Sequence, residues 1–414
     1  MGSTGRTYKD VIGLTGPLLP VVSFLGRLPT ATIQFGSVLL VARTSGSPAA
    51  AGLTGGALAL GQVACGPLVG RLADRHGQRT VVLAFSLTNA LAITALTCGA
   101  LAQPPAPWLA LLGAAAGATV PLIGPLGRAR LVALARRAGA SDTTIGTALS
   151  FESTLDEISF VLGPALVGLA AVLAHPAFAM AAAAVLVAVC GTGFALHPTA
   201  EVAPPPRPTP VSTPRPRTPR SVHSLRAALA LQGAMFGACQ SGIVALTERL
   251  DHSDQAGLVY AAMGVMSAVA GLSMAAVPAR VALATRWRLA TAAALVLSLP
   301  LLWTHSMVGL YAVVTVLGVA YAPHLITVFG LTERAVPPTR LAEAMAVATS
   351  AIVGGQALAV AVTGRLAESH GPAAAFAAAS LAAALACAIA LIARPKPYTD
   401  RTTEPTPRPA AAAP

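Results

Sequence analysis

Long apolar stretches alternate with short polar or charged segments along most of the 414-residue chain. A helix needs about 20 apolar residues to cross the hydrocarbon core of a bilayer. By that length the pattern predicts twelve membrane helices, and therefore an all-α integral membrane protein. The predicted spans, numbered 1 to 12 in chain order, cover residues 18–41, 49–69, 80–102, 108–127, 145–172, 176–196, 224–247, 255–279, 289–304, 307–330, 341–366 and 372–393.

A segment rich in proline and arginine, 197–223, separates the first six spans from the last six. Because proline cannot continue a helix, this segment is predicted to be a semi-rigid, solvated cytoplasmic linker rather than a proline-rich docking ligand. The other predicted domains are an N-terminal six-helix half, 1–196, a C-terminal six-helix half, 224–393, and a disordered cytoplasmic tail, 394–414.

A weak internal repeat supports this division. Gly168 and the segment up to Pro176 realign with Gly364 and the segment up to Pro372, at a constant shift of 196 residues. The shift places span 5 against span 11. It indicates two parallel six-helix repeats related by an axis along the membrane normal.

Composition excludes several classes of protein. With 55% hydrophobic residues, 10% charged residues and a mean hydropathy of +0.71, the chain is too apolar for a soluble globule. The five cysteines lie in apolar spans without paired spacing, so we expect no disulfide and no metal site. No nucleotide loop or nucleophile triad is visible, so we expect neither a cofactor nor an enzyme.

The net charge of +12 could indicate nucleic-acid binding, but the placement of the charges argues against it. With the N-terminus inside, the side opposite the cytoplasm keeps only Arg43, Arg249 and Arg365. This asymmetry follows the positive-inside rule and predicts a multi-pass protein of the cell membrane with both termini cytoplasmic. The basic residues placed in the cytoplasmic segment after span 4 are Arg128, Arg130, Arg136 and Arg137.

The decapeptide from Gly70 to Arg79, GRLADRHGQR, forms a charged hairpin between spans 2 and 3. Gly70 and Gly77 are suited to positive φ or close backbone approach. With Asp74 and Arg75, they match a signature of the major facilitator superfamily, which the chain resembles over residues 11–393. The resemblance implies a twelve-helix, usually monomeric transporter with two six-helix pseudo-repeats, in which Asp74 locks an inner gate against the start of span 11. The predicted gating residues are Gly70, Asp74, Arg75, Gly77 and Arg79.

Span 1 carries an arginine, Arg27, near its middle. Insertion scales put the cost of a central arginine at roughly 2.5–3.5 kcal/mol, so its side chain should face the bundle interior and find a partner. Thr30 and Gln34 follow at helical spacing and complete a polar stripe with Arg27. The stripe is a candidate part of the substrate cavity.

Span 5 offers acidic partners for Arg27. Glu152 and Asp156 share one helix face, and Glu157 points to an adjacent face. With three carboxyls for one arginine, at least one should lack a basic partner and hold a proton part of the time. These four residues are the candidate proton-coupling set. In the competing interpretation, Arg27 and Asp156 form a static buried pair.

Further along span 5, Gly163, Pro164 and Gly168 partly match the antiporter signature of the superfamily's drug exporters. Span 4, in contrast, lacks the arginine and glutamine of the superfamily's proton-coupling motif around Leu109 to Thr119. The first feature favours export. Because span 4 lacks the proton-coupling motif, Arg27 is the candidate residue to take over that role.

In the C-terminal half, the resemblance implies that spans 7 and 10 line the cavity. Gln240, Tyr321 and His324 are therefore candidate substrate contacts, although a lone membrane histidine is more often structural. Glu343, at the start of span 11, is expected to cap that helix or pair with the hairpin arginines.

Together these features predict proton-coupled efflux of a small amphiphilic molecule by alternating access. The partners implied are the lipid bilayer, a small-molecule substrate and protons, with no nucleic acid. An importer, working by symport or facilitated diffusion, and a non-transporting membrane sensor on the same fold remain alternatives. The aromatic content of 4% argues mildly against a large aromatic binding cage.

Overall fold

The computed structural model describes residues 11–202, 220–252, 255–278 and 280–395. Most of the predicted linker and nearly all of the predicted tail lie outside the described residues. Regular structure within the described ranges is helical, with no strand. The spans observed are Leu18–Ser45, Pro48–His76, Gln78–Ala102, Ala106–Ala118 continued by Ile123–Arg137, Asp142–Leu173, Pro176–Leu186 continued to Leu196, Arg220–Arg249, Ala256–Ser273, Leu283–Ser298, Met307–Ala335, Leu341–His370 and Pro372–Ile392.

This architecture confirms the predicted fold class. Eleven of the helices in the described part of the chain are long and apolar enough to cross a membrane. The twelfth, span 9, has 16 residues and is extended by a 3₁₀ turn, Leu299–Trp303. Its helix begins six residues earlier than the predicted 289–304, because Arg286 and Arg288 lie inside the helix rather than before it.

The surface and interior divide as a bilayer requires. Large side chains such as Leu60, Leu91 and Leu173 are exposed on the outside of the bundle, whereas several arginines and glutamates are buried inside it. In lipid, polar groups must be satisfied within the protein. The interior is therefore where the chemistry of this chain is concentrated.

Span 4 is broken near its middle. Its first segment, Ala106–Ala118, ends at Thr119, and its second, Ile123–Arg137, restarts after Leu122, which has a φ of 51°. Asn89 of span 3 donates hydrogen bonds to the carbonyl oxygen of Ala116 at 2.7 Å and to Oγ1 of Thr119 at 3.0 Å. Side-chain donors of this kind satisfy backbone groups that a break in the helix would otherwise leave unpaired.

Beyond the break, span 4 extends past the end that its hydropathy predicts. The prediction ended the span at residue 127, but its second segment continues to Arg137. In the first segment, Gly113 lies against span 2 so closely that a Cβ atom would stand 2.7 Å from the carbonyl oxygen of Thr54. The close approach of these two backbones fixes the position of the segment that follows.

Candidate functional site

The Arg27 side chain forms ion pairs and hydrogen bonds with residues of spans 1 and 5. Its Nη2 lies 2.5 Å from a carboxylate oxygen of Glu152, and its Nη1 lies 2.7 Å from Oδ1 of Asp156. Nη1 also donates to the backbone carbonyl of Glu152 at 3.1 Å, and Ser23 accepts from Nε and Nη2. The structure thus brings together three of the residues that the sequence put forward for proton coupling.

Asp156 is shared between two arginines. Its Oδ1 pairs with Arg27, and its Oδ2 pairs with Arg128 of span 4. The side chain of Asp156 is 17% exposed, against 4% for Arg27 and 1% for Arg128. Asp156 is therefore the most accessible of these three charges and links spans 1, 4 and 5.

The position of Arg128 corrects the sequence analysis. Arg128 and Arg130 were placed in a cytoplasmic segment beyond span 4, but both are fully buried in its second segment. The guanidinium of Arg128 also stacks on Phe329 of span 10, 4.0 Å from the ring centroid. Span 4 therefore does supply a buried arginine, nine residues beyond the stretch from Leu109 to Thr119 that lacks one. The available signal was the run of helix breakers from Pro121 to Gly127 just before it.

Arg130 belongs to a separate contact. It donates to Oε1 of Gln78 at 2.9 Å and to the carbonyl oxygen of Phe194 at 2.8 Å, and it stacks on the Phe194 ring at 3.8 Å. These partners lie on spans 3 and 6. Arg130 therefore links span 4 to spans 3 and 6 of the N-terminal half.

Two glycines let the acids of span 5 approach the second segment of span 4. A Cβ at Gly124 would lie 2.8 Å from Oδ1 of Asp156, and one at Gly127 would lie 3.0 Å from Oε2 of Glu152. Gly124 stands in the first turn of that segment. Because the N-terminus of a helix carries partial positive charge, it stabilises the carboxylate of Asp156 together with the two arginines.

Glu157 lies on a different face of span 5, which packs against span 8. The neighbouring contacts on this face join Thr154 to Gly271 and Val161 to Gly264. Among the described residues, none forms an ion pair with Glu157. The prediction that one acid of span 5 lacks a basic partner therefore applies to Glu157, since Glu152 and Asp156 are both paired.

The side chains of the polar stripe on span 1 contact two different helices. Gln34 donates to Oε1 of Gln62 on span 2 at 2.9 Å, whereas Arg27 turns toward span 5. Thr30 is half-buried between them. These side chains share a helix face but do not contact one another.

The charged hairpin closes one end of the molecule, here called the hairpin end. The carboxylate of Asp74 accepts the backbone N–H groups of Ala342 at 3.1 Å and of Glu343 at 2.7 Å. Asp74 thereby caps the free N–H groups at the start of span 11. Nη2 of Arg71 pairs with Glu343 at 2.9 Å, and Arg340 pairs with the same carboxylate at 3.2 Å.

The hairpin glycines act in two different ways. Gly70 lies against span 11, where a Cβ would stand 2.8 Å from the carbonyl oxygen of Ala342 and 2.9 Å from Cα of Glu343. Gly77 has a φ of 85° and forms the turn. Arg75 is exposed, and Arg79 pairs with Glu201 at 3.3 Å. Gly70 thus adjoins the contact between Asp74 and span 11, whereas Arg75, Gly77 and Arg79 do not take part in it.

Two further ion pairs join the halves at the hairpin end, and the sequence analysis missed both. Arg136 of span 4 pairs with the buried Glu333 of span 10. Arg334 pairs with Asp142, at the start of span 5, at 2.9 Å. They were missed because single charges near helix ends carry no pairing signal in the sequence.

In the described part of the chain, no ion pair joins the two halves at the opposite end. Gly52 and Gly56 follow the spacing of Gly66 and Gly70 on the same face of span 2, yet nothing lies within 4 Å of the position of their Cβ atoms. The same is true of Gly364 on span 11. The interface between spans 2 and 11 is therefore closed at the hairpin end and open at the opposite end.

The candidate residues of the C-terminal half lie in different surroundings. Gln240 lines a cavity of 620 Å³ between spans 7, 11 and 12 at the open end. Tyr321 is buried, and its hydroxyl contacts Sγ of Cys239 at 3.7 Å. His324 is 3% exposed, and its Nε2 has no hydrogen-bond partner among the described residues.

The glycine–proline segment of span 5 marks a close contact with span 1. A Cβ at Gly163 would lie 2.9 Å from the backbone nitrogen of Thr32. Pro164 lies inside an unbroken helix, and Gly168 has open space around it. The role of this segment as an antiporter signature remains a prediction.

A bundle of membrane-competent helices with buried ion pairs in its interior has the architecture of a membrane transporter. The Major Facilitator Superfamily profile matches residues 19–351, and the chain belongs to this family. No curated protein sequence matches the chain.

Solved structures support the fold. The human organic anion transporter MFSD10 (TETRAN) is 18% identical with a TM-score of 0.65, covering 94% of this chain and 100% of that one. A bacterial homologue of the iron transporter ferroportin, in an outward-facing state, is 14% identical with a TM-score of 0.71, covering 90% and 98%. The Escherichia coli fucose:proton symporter FucP is 14% identical with a TM-score of 0.64, covering 91% and 98%. At these identities the likeness shows the fold alone.

Proposed function

We propose that this transporter exports a small amphiphilic molecule in exchange for protons, with the hairpin end in the cytoplasm. The orientation rests on the excess of arginine at the hairpin end, which the positive-inside rule assigns to the cytoplasmic side. In that orientation, the closed hairpin end and the open opposite end correspond to an outward-facing conformation. The cell membrane is the expected location, and both termini are cytoplasmic.

The observation that carries proton coupling is the bridge made by Asp156. Its carboxylate joins Arg27 and Arg128 and is the most accessible member of the cluster. A proton that binds Asp156 removes the charge on which both ion pairs depend. Because the pairs connect span 5 to spans 1 and 4, protonation loosens three helices at once.

Glu152 is the second candidate carrier. It pairs with Arg27 alone, and its side chain is 6% exposed. When Asp156 is protonated, Glu152 keeps Arg27 neutralised, whereas Arg128 loses its ion pair and keeps only the stacking contact with Phe329. The two acids thus permit a protonated and a deprotonated state that both satisfy Arg27.

Direct transport measurements test this proposal. In inverted vesicles, an imposed proton gradient should drive uptake of a substrate found by screening lipophilic cations, antibiotics and amino acids. Asp156→Asn should lower this uptake at least about tenfold, since one decade corresponds to about 1.4 kcal/mol of lost coupling. Asp251→Asn is the matched control, because Asp251 lies in a turn with a φ of 59°, a conformation that asparagine tolerates.

Each other outcome has a defined meaning. Equal gradient-driven flux in wild type and Asp156→Asn would make the cluster a static structural pair. Uptake that occurs only in right-side-out vesicles would indicate an importer. Asp156→Glu keeps the carboxyl group and should restore part of the flux, which separates loss of coupling from loss of folding.

A further inference from the structure

Three aromatic rings gather in the C-terminal half, although only 4% of the chain is aromatic. Phe236 of span 7 meets Tyr260 of span 8 with ring centroids 4.9 Å apart, and Tyr321 of span 10 with centroids 5.3 Å apart. Both pairs are edge-to-face. The low overall aromatic content therefore hides a local concentration of rings, here called the aromatic box: Phe236, Tyr260 and Tyr321.

The aromatic box faces an acid from the other half. Glu157 lies on the face of span 5 that packs against span 8, the helix that carries Tyr260, and it acts electrostatically on Tyr260 and Tyr321. Phe236, Tyr260 and Glu157 are only half-buried, so the box is not sealed. The box thus adjoins a carboxyl group that has no basic partner among the described residues.

The polar atoms of the box are incompletely satisfied. The hydroxyl of Tyr260 is buried and has no hydrogen-bond partner within the described part of the chain. Tyr321 has only the weak contact of its hydroxyl with Cys239. Buried polar groups in native proteins nearly always have a partner, so the hydroxyl of Tyr260, near an acid that forms no ion pair among the described residues, is a candidate contact for a ligand.

The chemistry of the box selects the charge of that ligand. Aromatic faces carry negative partial charge and attract cations, most strongly where water is excluded. Glu157, when ionised, adds a counter-charge. Arg128 acts electrostatically on Glu157, but its own charge is paired with Asp156 and its guanidinium is covered by Phe329.

We propose that Phe236, Tyr260, Tyr321 and Glu157 form the binding site for an organic cation, a protonated amine or a quaternary onium group that carries apolar substituents. This inference rests on the proposed transport function, for which it names the substrate class. The cation enters from the open end and stacks on the rings. The carboxylate of Glu157 neutralises it at the interface of spans 5 and 8.

Two probes of the same shape and opposite charge test the inference. Binding of tetraphenylphosphonium and of tetraphenylborate is measured by calorimetry on the full-length protein in lipid nanodiscs without a proton gradient. Wild type should bind the phosphonium at least about tenfold more tightly than the borate, a difference of about 1.4 kcal/mol. Equal affinity, or preference for the borate, would overturn the proposal, and the latter would direct attention to Arg128.

Variants locate the site. Glu157→Gln should weaken phosphonium binding about tenfold, and Phe236→Leu several-fold, because ring and carboxylate each contribute on the scale of a desolvated cation–π contact. Tyr260→Leu removes a second ring of the box and should weaken phosphonium binding to a similar extent as Phe236→Leu. The matched controls are Asp251→Asn, an acid in an exposed turn, and Phe178→Leu, an exposed ring of span 6. Wild-type affinity in both Glu157→Gln and Phe236→Leu would overturn the assignment.

The test separates the two proposals because binding needs no gradient. Phosphonium binding that Glu157→Gln abolishes, without any proton-driven flux, would support the site and refute the exporter. Proton-driven export of neutral or anionic compounds only, without phosphonium binding, would support the exporter and refute the site.

Discussion

The two ends of the interface between spans 2 and 11 differ in how close they let the helices come. At the hairpin end, Gly70 touches the backbone of span 11 and Asp74 caps its first turn. At the opposite end, Gly52 and Gly56 occupy the same face of span 2 but meet nothing within 4 Å. Small residues on both ends therefore do not mean contact at both ends. They permit contact at either end, and the charged groups select the hairpin end in this conformation.

The largest effect on the closed conformation is expected at Gly70, where the backbones of spans 2 and 11 lie in contact. A methyl group at Gly70, in Gly70→Ala, must displace the carbonyl oxygen of Ala342 and Cα of Glu343, which a helix backbone cannot avoid. Overpacking of this kind costs about 1–3 kcal/mol, so the closed hairpin end should lose population about tenfold. Distances between nitroxide labels at His76 and Thr339 report the opening, in a background without native cysteines.

Gly56→Ala is the matched control for Gly70→Ala. It adds the same methyl group to the same face of the same helix, where there is open space. Its distance distribution should match that of the parent protein. If both variants open the hairpin end to the same extent, helix propensity rather than the contact with span 11 explains the result.

A smaller effect on the closed conformation is expected from removing the cap that Asp74 forms at the start of span 11. Asp74→Ala removes the acceptor for the N–H groups of Ala342 and Glu343. Loss of an N-cap costs about 1 kcal/mol, which should shift the closed state by roughly fivefold, measured with the same label pair. Ser47→Ala removes the cap of span 2 at the opposite end, where Ser47 accepts from the N–H of Ala50 at 3.2 Å, and should leave the hairpin-end distance unchanged. A shift with Ser47→Ala as large as with Asp74→Ala would show that the cap acts on helix stability alone.

The smallest effect is expected from the exposed ion pair. The side chains of Arg334 and Asp142 are 45% and 76% exposed. A double-mutant cycle with Arg334→Ala and Asp142→Ala should give a coupling energy of about 0.2–1 kcal/mol that falls with added salt. Glu333, in contrast, is 4% exposed in its pair with Arg136, so the corresponding cycle should give more. A coupling above about 2 kcal/mol for the exposed pair, unchanged by salt, would mean that it is desolvated in the membrane protein.

The sequence predicted the fold and the partners of Arg27 for one physical reason. A charge in lipid is costly, so Arg27 had to face inward, and the helical spacing of Glu152 and Asp156 placed two acids where they could meet it. The roles of these residues in proton coupling stay predictions. The motif around Asp74 implied a contact with span 11, and the structure contains that contact. Its role as a gate stays a prediction.

Arg128 and the aromatic box escaped the sequence analysis for different reasons. Hydropathy ends a span at its first charges, so the buried arginines of a helix that breaks at Leu122 and resumes are assigned to the loop beyond the span. Phe236, Tyr260 and Tyr321 lie on three separate spans, and nothing in their spacing along the chain indicates that their rings meet. Tertiary packing alone brings them together.

The break in span 4 also bears on how the chain enters the membrane. Its two segments have 13 and 15 residues, about 20 and 22 Å of helix, and each is shorter than the roughly 30 Å hydrocarbon core. The second segment carries four arginines, two of them fully buried, and a buried arginine is costly in lipid without a partner. Asn89 of span 3 bonds to the end of the first segment, and Asp156 of span 5 pairs with Arg128 of the second. We therefore expect spans 3 to 5 to settle in the bilayer together during biogenesis.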